Sequence, residues 1–138
     1  MPLFSLGGSR PANLGVREGR LAPCPASPNC VSSDAADGDH AVEPLRLALP
    51  AEKAWRAIRE AVAALPRTAF VTETEDYLHA ECQSALLGFV DDLELHLRPA
   101  EGIVAVRSAS RLGHSDLGVN RKRVEELRAT LRSRGAVR

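Results

Sequence analysis

Apolar and polar residues alternate with a period of two along the second half of the chain, which is the pattern of half-buried β-strands. Short connections separate these segments, so successive strands are expected to be antiparallel neighbours. An earlier segment alternates too, and its proline is typical of an edge strand. The pattern therefore predicts an antiparallel meander of four to five strands, over residues 40–49, 69–74, 77–84, 88–98 and 103–110.

Two further segments place apolar residues at helical spacing. The first lies between Pro50 and Pro66, where one stripe is apolar and the opposite side is charged. The second is predicted to run from Leu117 or Val119 to Arg132, with Leu117 on its buried side. The order strand, helix, meander, helix is that of an α+β fold, with both helices packed on one face of the sheet.

The first 40 residues show no apolar periodicity and are rich in glycine, proline, serine and asparagine. The 138 residues are enough for one domain. We therefore expect an irregular N-terminal arm, residues 1–40, and a single α+β domain, residues 41–138. Cys24 and Cys30 lie in the arm at a spacing that zinc sites do not use. They could close a disulfide loop in an exported protein, but a reducing cytosol favours free thiols.

Charge and motifs exclude several classes of protein. The chain has 18 basic and 18 acidic residues, whereas nucleic-acid binding usually leaves a basic excess. No stretch approaches the ~20 apolar residues of a membrane span, and the first residues lack a signal-peptide pattern, so we expect a cytoplasmic protein. No nucleotide-binding or nucleophile-elbow motif is present, and no cofactor is expected. The histidines are scattered, which predicts no metal site; His79, Glu81 and His96 are expected to form a polar cluster on the outer surface.

The junction between the last strand and the last helix is the most polar part of the chain. Residues 107–123 hold five positive side chains around two glycines. Cations and backbone N–H groups at the start of a helix can bind an anion. Alternatively, Ser115 or Asp116 caps the helix and the arginines belong to an internal salt-bridge network. The candidate ligand-binding residues are Asp91, Arg107, Ser110, Arg111, Ser115, Asp116, Asn120 and Arg121.

Asp91 is out of place for its strand. Strict alternation puts it on the same face as Phe89, Leu93 and Leu95, which should be the core. A buried carboxylate needs a cation or several hydrogen-bond donors. We therefore predict that Asp91 is buried and paired with Arg107, Arg111 or Arg121.

These observations favour a small binding domain over an enzyme, with a small anionic ligand or a protein partner at the 107–123 junction. One alternative is an enzyme of unknown reaction that uses Asp91 and Asp92 with Arg107 and Arg111. Another is a structural or assembly factor. An exposed apolar patch on the sheet face away from the helices would favour this alternative.

Three stretches together resemble the motifs of a known family. They are Cys-Pro-Ala-Ser-Pro-Asn-Cys-Val-Ser-Ser at residues 24–33, Gly-Phe-Val-Asp-Asp-Leu-Glu at 88–94, and the polar run from Arg107 to Val124. In this order they are similar to the domain-of-unknown-function 1499 (DUF1499) family, over nearly all of residues 20–132. The resemblance implies membership of a family whose members can be exported or membrane-attached. It implies no catalytic residue, because the family has no established activity.

Overall fold

The computed structural model describes residues 8–85 and 88–138, so the first seven residues of the predicted arm lie outside it. It contains two helices, one 3-10 turn and eight strands within these ranges. In chain order they are β1 (Val16–Arg17), β2 (Arg20–Leu21), β3 (Cys30–Ser32), β4 (Leu45–Arg46), α1 (Ala51–Ala63), β5 (Thr68–Glu73), β6 (Tyr77–Gln83), β7 (Val90–Arg98), the 3-10 turn Pro99–Glu101, β8 (Ile103–Ser110) and α2 (Val119–Ser133).

The main sheet has six strands, where the sequence predicted four to five. The meander β5–β6–β7–β8 is present with antiparallel pairing throughout. The extra strand is β3, which pairs along β8 from Cys30 opposite Ala109 to Ser32 opposite Arg107. β4 pairs with the other half of the same edge. A three-residue strand between polar loops is too short to show alternation, which is why the sequence pattern missed it.

One strand boundary and one expected core residue differ from the prediction. The alternating segment 40–49 forms the two-residue strand β4, with isolated bridges on either side of it from Ala41 to Ser32 and from Leu47 to Val137. The second helix begins at Val119, and Leu117 lies before it with a left-handed φ of 55° and a side chain 94% exposed. Leu117 was predicted to be buried, which is wrong, because Gly118 breaks the helical geometry between it and α2.

One hydrophobic core joins both helices to a single face of the sheet. The apolar stripe of α1 contributes Trp55 and Ile58, and that of α2 contributes Leu127 and Leu131. They pack on alternate residues of β6, β7 and β8, among them Leu95. The two helices therefore leave the opposite face of the sheet to be covered by another part of the chain.

The N-terminal arm covers that opposite face. β1 and β2 form a small separate hairpin whose two-residue turn, Glu18-Gly19, has positive φ at both positions, as tight hairpins require. From the arm, the Gly15 N–H donates to Glu94 and the Pro23 carbonyl accepts from Arg107, both on the sheet. The arm therefore lies over the polar face of the sheet.

Cys24 and Cys30 form a disulfide, so the preference for free thiols was wrong. Cys30 is fixed in β3, and the preceding loop turns back so that Cys24 lies beside it with 5.7 Å between the Cα atoms. Cys82 is the free cysteine of the described residues and is buried in the core. No helix in the described ranges has the length and apolarity needed to cross a bilayer.

Candidate functional site

A cleft of about 230 Å³ lies between the end of the sheet and the start of α2. We call it the junction cleft. Its floor is polar, and its walls carry three partly exposed apolar side chains. The residues used in the argument are Asp91, Ser110, Asp116 and Arg123 on the floor, Phe89, Leu112 and Val119 on the walls, and Ser115 at the rim.

The floor is built around an ion pair between Asp91 and Arg123. Arg123 Nη2 lies 2.8 Å from Asp91 Oδ2, and Asp91 is only 8% exposed. Its burial is confirmed, but the three arginines predicted to pair with it were wrong. Helical spacing explains the actual partner, because Arg123 follows the buried Asn120 by three residues and so lies on the inner side of α2.

Asn120 connects the floor to three neighbouring segments. Its Oδ1 accepts hydrogen bonds from Ser108 Oγ at 2.6 Å and from Arg123 Nη1 at 2.8 Å. Its Nδ2 donates to Ser110 Oγ at 2.9 Å and to the Asn29 carbonyl at 3.2 Å. A fully buried amide with donors and acceptors both satisfied fixes the positions of its neighbours. The floor of the junction cleft is therefore rigid.

Asp116 occupies the backbone donors at the start of α2. Its carboxylate accepts from the N–H groups of Gly118 at 2.8 Å and Asn120 at 2.9 Å, and from Asn120 Nδ2 at 2.7 Å. Partial burial tends to raise the pKa of Asp116, but these hydrogen bonds outweigh it and lower the pKa below its usual range. Two of the backbone donors that an anion would use at this helix terminus, those of Gly118 and Asn120, are thus already engaged by the protein itself.

The walls hold a group of exposed apolar side chains at one end of the molecule. Phe89, Leu112 and Val119 are 42%, 46% and 45% exposed. Phe89 was predicted to lie on the core face, but β7 begins only at Val90, and Phe89 stands before it. Together with the neighbouring Leu117, these residues are four of the six large apolar residues exposed in the described ranges. Such a concentration beside a polar floor is typical of a binding surface.

Asn29, which lies beside the disulfide, holds the loop 110–113 that forms part of the same cleft. Asn29 Nδ2 donates to the Gly113 carbonyl at 2.7 Å, and the Asn29 carbonyl accepts from the Ser110 N–H at 2.9 Å. Asn29 directly precedes Cys30, so the disulfide anchors the residue that holds the loop 110–113. Asn29 lies within the motif at residues 24–33, but it was not among the candidate ligand-binding residues.

Arg107 and Arg111 do not contribute to the junction cleft, although the sequence grouped them with it. Ser108 and Ser110 of β8 face the helices, so Arg107 points to the other side, opposite Glu94. Arg107 Nη1 lies 3.4 Å from Glu94 Oε2. The other carboxylate oxygen, Glu94 Oε1, accepts a hydrogen bond from the Tyr77 hydroxyl at 2.6 Å. Burial, with the Glu94 contact next in importance, raises the pKa of Tyr77.

The arm-side network, as we name it, comprises Tyr77, His79, Glu81, Asp92, Glu94, Arg107 and Arg111. Arg111 binds both Asp92 oxygens at 2.8 Å and also contacts Glu81, while His79 Nε2 lies 2.7 Å from Asp92. His79 is buried, so the surface cluster predicted around it was wrong. The arm covers part of this face and leaves a cleft of about 400 Å³ beside Asp92, Arg107 and Arg111. Arg121 belongs to neither group, since it donates to the carbonyls of Ala41 and Asp39.

Three members of the arm-side network have the chemistry of metal ligands. One potential ligand atom each from His79, Glu81 and Asp92 lies within 4.8 Å of the others. Arg111 already binds both carboxylates there, and its hydrogen bonds hold the pKa of Asp92 low against the upward effect of burial. The guanidinium therefore supplies the positive charge that a metal ion would bring, and a metal would have to displace it.

Four of the eight candidates line the junction cleft, and the other six of its ten lining residues were not among the candidates. Asp91, Ser110, Ser115 and Asp116 line the junction cleft, and Asn120 lies directly beneath it. The helical period could have indicated Arg123, whereas Phe89, Leu112 and Val119 are ordinary apolar residues until their exposure is known. The remaining two are Ser84 and Gly113.

The chain was compared with protein families, curated proteins and solved structures. The model of a family described as "Protein of unknown function (DUF1499)" matches residues 20–131. The comparisons with curated proteins and with solved structures found no match.

Proposed function

Because the chain belongs to the DUF1499 family, whose function is unknown, we propose its role from the geometry of the site. We propose that the protein is a non-catalytic binding domain whose ligand enters the junction cleft with an apolar group. One observation carries the proposal: exposed Phe89, Leu112 and Val119 surround a floor whose charges are already paired.

The size of the cleft limits the ligand. Drug-sized ligands occupy pockets of roughly 300–1,000 Å³. The junction cleft, at about 230 Å³, lies below that range. It suits a short alkyl chain, one ring, or a single apolar side chain of a protein partner. Its rigid floor favours such a ligand, because little ordering is needed on binding.

The residues of the enzymatic alternative do not meet at one place. Asp91 faces the helices and Asp92 faces the arm, as neighbouring residues of one strand must. Arg107 and Arg111 accompany Asp92, and the carboxylates on that side are engaged by arginine or tyrosine. An assembly factor would need an exposed apolar patch on the sheet face away from the helices. That face instead carries the buried charges of the arm-side network. Binding at the junction cleft therefore has the better support.

The disulfide bears on where this binding takes place. Structural disulfides persist in oxidising compartments and are rare in a reducing cytosol. We therefore favour an oxidising compartment over the cytoplasm that the sequence suggested.

The test is a titration with octan-1-ol, followed by the backbone amide shifts of the 15N-labelled protein. Shifts are expected at residues 110–120, with Phe89→Ser weakening binding about 5- to 20-fold through lost apolar burial. Val71→Ser is the matched control, since Val71 is a similarly exposed apolar residue on β5. Shifts that spread over the whole surface, or equal binding by both variants, would refute the proposal.

A further inference from the structure

We propose that the ligand of the junction cleft is an amphiphile with one anionic head group, which binds in the adjoining basic cleft while the apolar tail fills the junction cleft. The inference rests on the proposed function and adds the chemical class of the ligand. The basic cleft has a volume of about 250 Å³ and is lined by Arg67, Lys122, Arg123 and Glu126 among others.

The two clefts are neighbours on the surface. They share Val119 and Arg123 as lining residues, so the two clefts adjoin each other. The junction cleft carries the exposed apolar walls, whereas the basic cleft has three cationic side chains and one carboxylate, Glu126. A ligand spanning both would therefore meet an apolar environment at one end and positive charge at the other.

The cations of the basic cleft differ in how far they are already engaged. Arg123 is committed to Asp91, Ser108 and Asn120. The Lys122 ammonium lies 3.8 Å from Glu126 Oε1, and both side chains are largely exposed, so that pair is weak. Within the described ranges, no carboxylate lies within salt-bridge distance of Arg67. Arg67 and Lys122 are thus the groups that remain for a head group.

Arg67 is also held in place by the backbone. It has a left-handed φ of 49°, a strained conformation for a non-glycine residue. Two hydrogen bonds to Gln83 maintain it: Nε donates to the Gln83 carbonyl at 2.9 Å, and the Arg67 carbonyl accepts from the Gln83 N–H at 3.0 Å. The rest of the guanidinium is left for a ligand, on a residue whose backbone conformation is already fixed.

A cationic head group is the less suitable occupant. The Asp91 carboxylate is neutralised by Arg123, and the Asp116 carboxylate is saturated by N–H donors. Glu126 remains, with Lys122 beside it. Carboxylate and phosphate head groups share the chemistry that Arg67 and Lys122 would recognise, and arginine binds both through paired N–H groups.

The experiment compares four probes with the same eight-carbon tail: nonanoate, octyl phosphate, octan-1-ol and octylammonium. At low salt we expect one or both anions to bind about 3- to 10-fold tighter than octan-1-ol, and octylammonium to bind most weakly, as two exposed charge contacts allow. Added salt should remove the difference. Tighter binding of octyl phosphate than of nonanoate would identify a phosphate head group, and the reverse order a carboxylate.

The double variant Arg67→Gln/Lys122→Gln should bind nonanoate no better than octan-1-ol, while leaving octan-1-ol binding unchanged. Arg134→Gln is the matched control, because Arg134 is exposed just after α2 and outside both clefts. Should the double variant fold poorly, Lys122→Glu alone tests the same charge on an exposed side chain. We expect Lys122→Glu to reduce the preference for the anions over octan-1-ol by at least 3-fold.

The outcomes separate the two proposals. If octan-1-ol binds and Phe89→Ser weakens it, but neither anion binds more tightly, the head-group inference is wrong and the apolar site stands. Tightest binding by octylammonium also overturns the inference. If none of the four probes shifts the amides of residues 110–120, the proposed function fails and the inference with it.

Discussion

Asp91 and Arg123 meet at 2.8 Å on the floor of the junction cleft, joining the start of β7 to the first turns of α2. Arg123 stays in that place because its other terminal nitrogen, Nη1, donates hydrogen bonds to both Asn120 and Ser108. A cation near the start of a helix is unfavourable by itself, and the Asp91 carboxylate compensates it. The pair therefore links the packing of α2 to the shape of the cleft.

Removing one partner of this ion pair should destabilise the protein. We expect Asp91→Ala to lower the free energy of unfolding by about 3 kcal/mol, because it leaves Arg123 mostly buried and without its carboxylate. The double variant Asp91→Ala/Arg123→Leu should lose less than the sum of the single changes. Urea unfolding measures both. As a control, Glu43→Ala breaks the exposed pair with Arg46 and should cost under about 1 kcal/mol. Equal losses in Asp91→Ala and Glu43→Ala would contradict the assigned role.

Asn120→Asp tests the buried amide with almost no change in size. The new carboxylate would lie where Nδ2 now donates to Asp116 at 2.7 Å, replacing a hydrogen bond with repulsion between two acids. A loss of about 2–4 kcal/mol is expected at neutral pH. It should shrink near pH 4, where one of the two carboxyls takes up a proton. Asn13→Asp, at an exposed asparagine, should have little effect at either pH. A penalty that does not depend on pH would argue against this contact.

The disulfide makes a prediction about thiol counts and about the cleft. The chain has three cysteines, so unfolded protein should react with one equivalent of iodoacetamide before reduction, at Cys82, and with three after it. Cys24→Ser/Cys30→Ser should lose about 2 kcal/mol of stability, the effect of a short closed loop. Because Asn29 holds Ser110, hydrogen exchange of the Ser110 amide should also quicken in that variant. Labelling of three thiols without reductant would show that the bridge does not form.

Acid should unfold the protein in part through Asp92. Burial tends to raise the pKa of Asp92, but its hydrogen bonds to Arg111 and His79 lower it below the usual value of about 3.9. A lowered folded-state pKa gives stability that is fully present above the unfolded-state pKa. That stability is lost as pH falls through the folded-state value. We expect a steep decline in melting temperature below about pH 4.

Asp92→Asn should have a lower melting temperature at neutral pH and a shallower decline in acid. Parallel acid profiles for the variant and the parent protein would rule out Asp92 as a source of the decline. Asp39→Asn, at an exposed carboxylate on a loop, serves as the control and should follow the parent profile.

The regular elements were predictable because their signals are local. The period of two located β6, β7 and β8 to within two residues, and the apolar stripe located α1, since one buried face imposes its own spacing on the chain. β3 escaped because three residues carry no period. The division into an arm, residues 1–40, and a domain, residues 41–138, stays a prediction; the structure adds that β3 joins the main sheet.

The site was predictable only in part, because it depends on which residues of neighbouring strands lie on the same face of the sheet. We call this relationship parity. Asp91 was correctly placed inside by alternation, but pairing it with Arg107 ignored that β7 and β8 are in register with Asp91 opposite Ser110. Any partner on β8 at an odd distance from Ser110 lies on the other face. The apolar walls depend on exposure, which no spacing in the sequence reveals for Phe89 or Leu112.

That parity restricts how β8 can change during evolution. Its even-numbered positions, Ser108 and Ser110, serve the junction cleft, while the odd-numbered Arg107 serves the arm-side network. A deletion of one codon within this strand would exchange the two sets, driving a guanidinium into the helical core and a hydroxyl under the arm. Substitutions can alter either side alone, but insertions and deletions would damage both at once. Natural length variation among related chains should therefore avoid β8 and collect in loops such as residues 99–102.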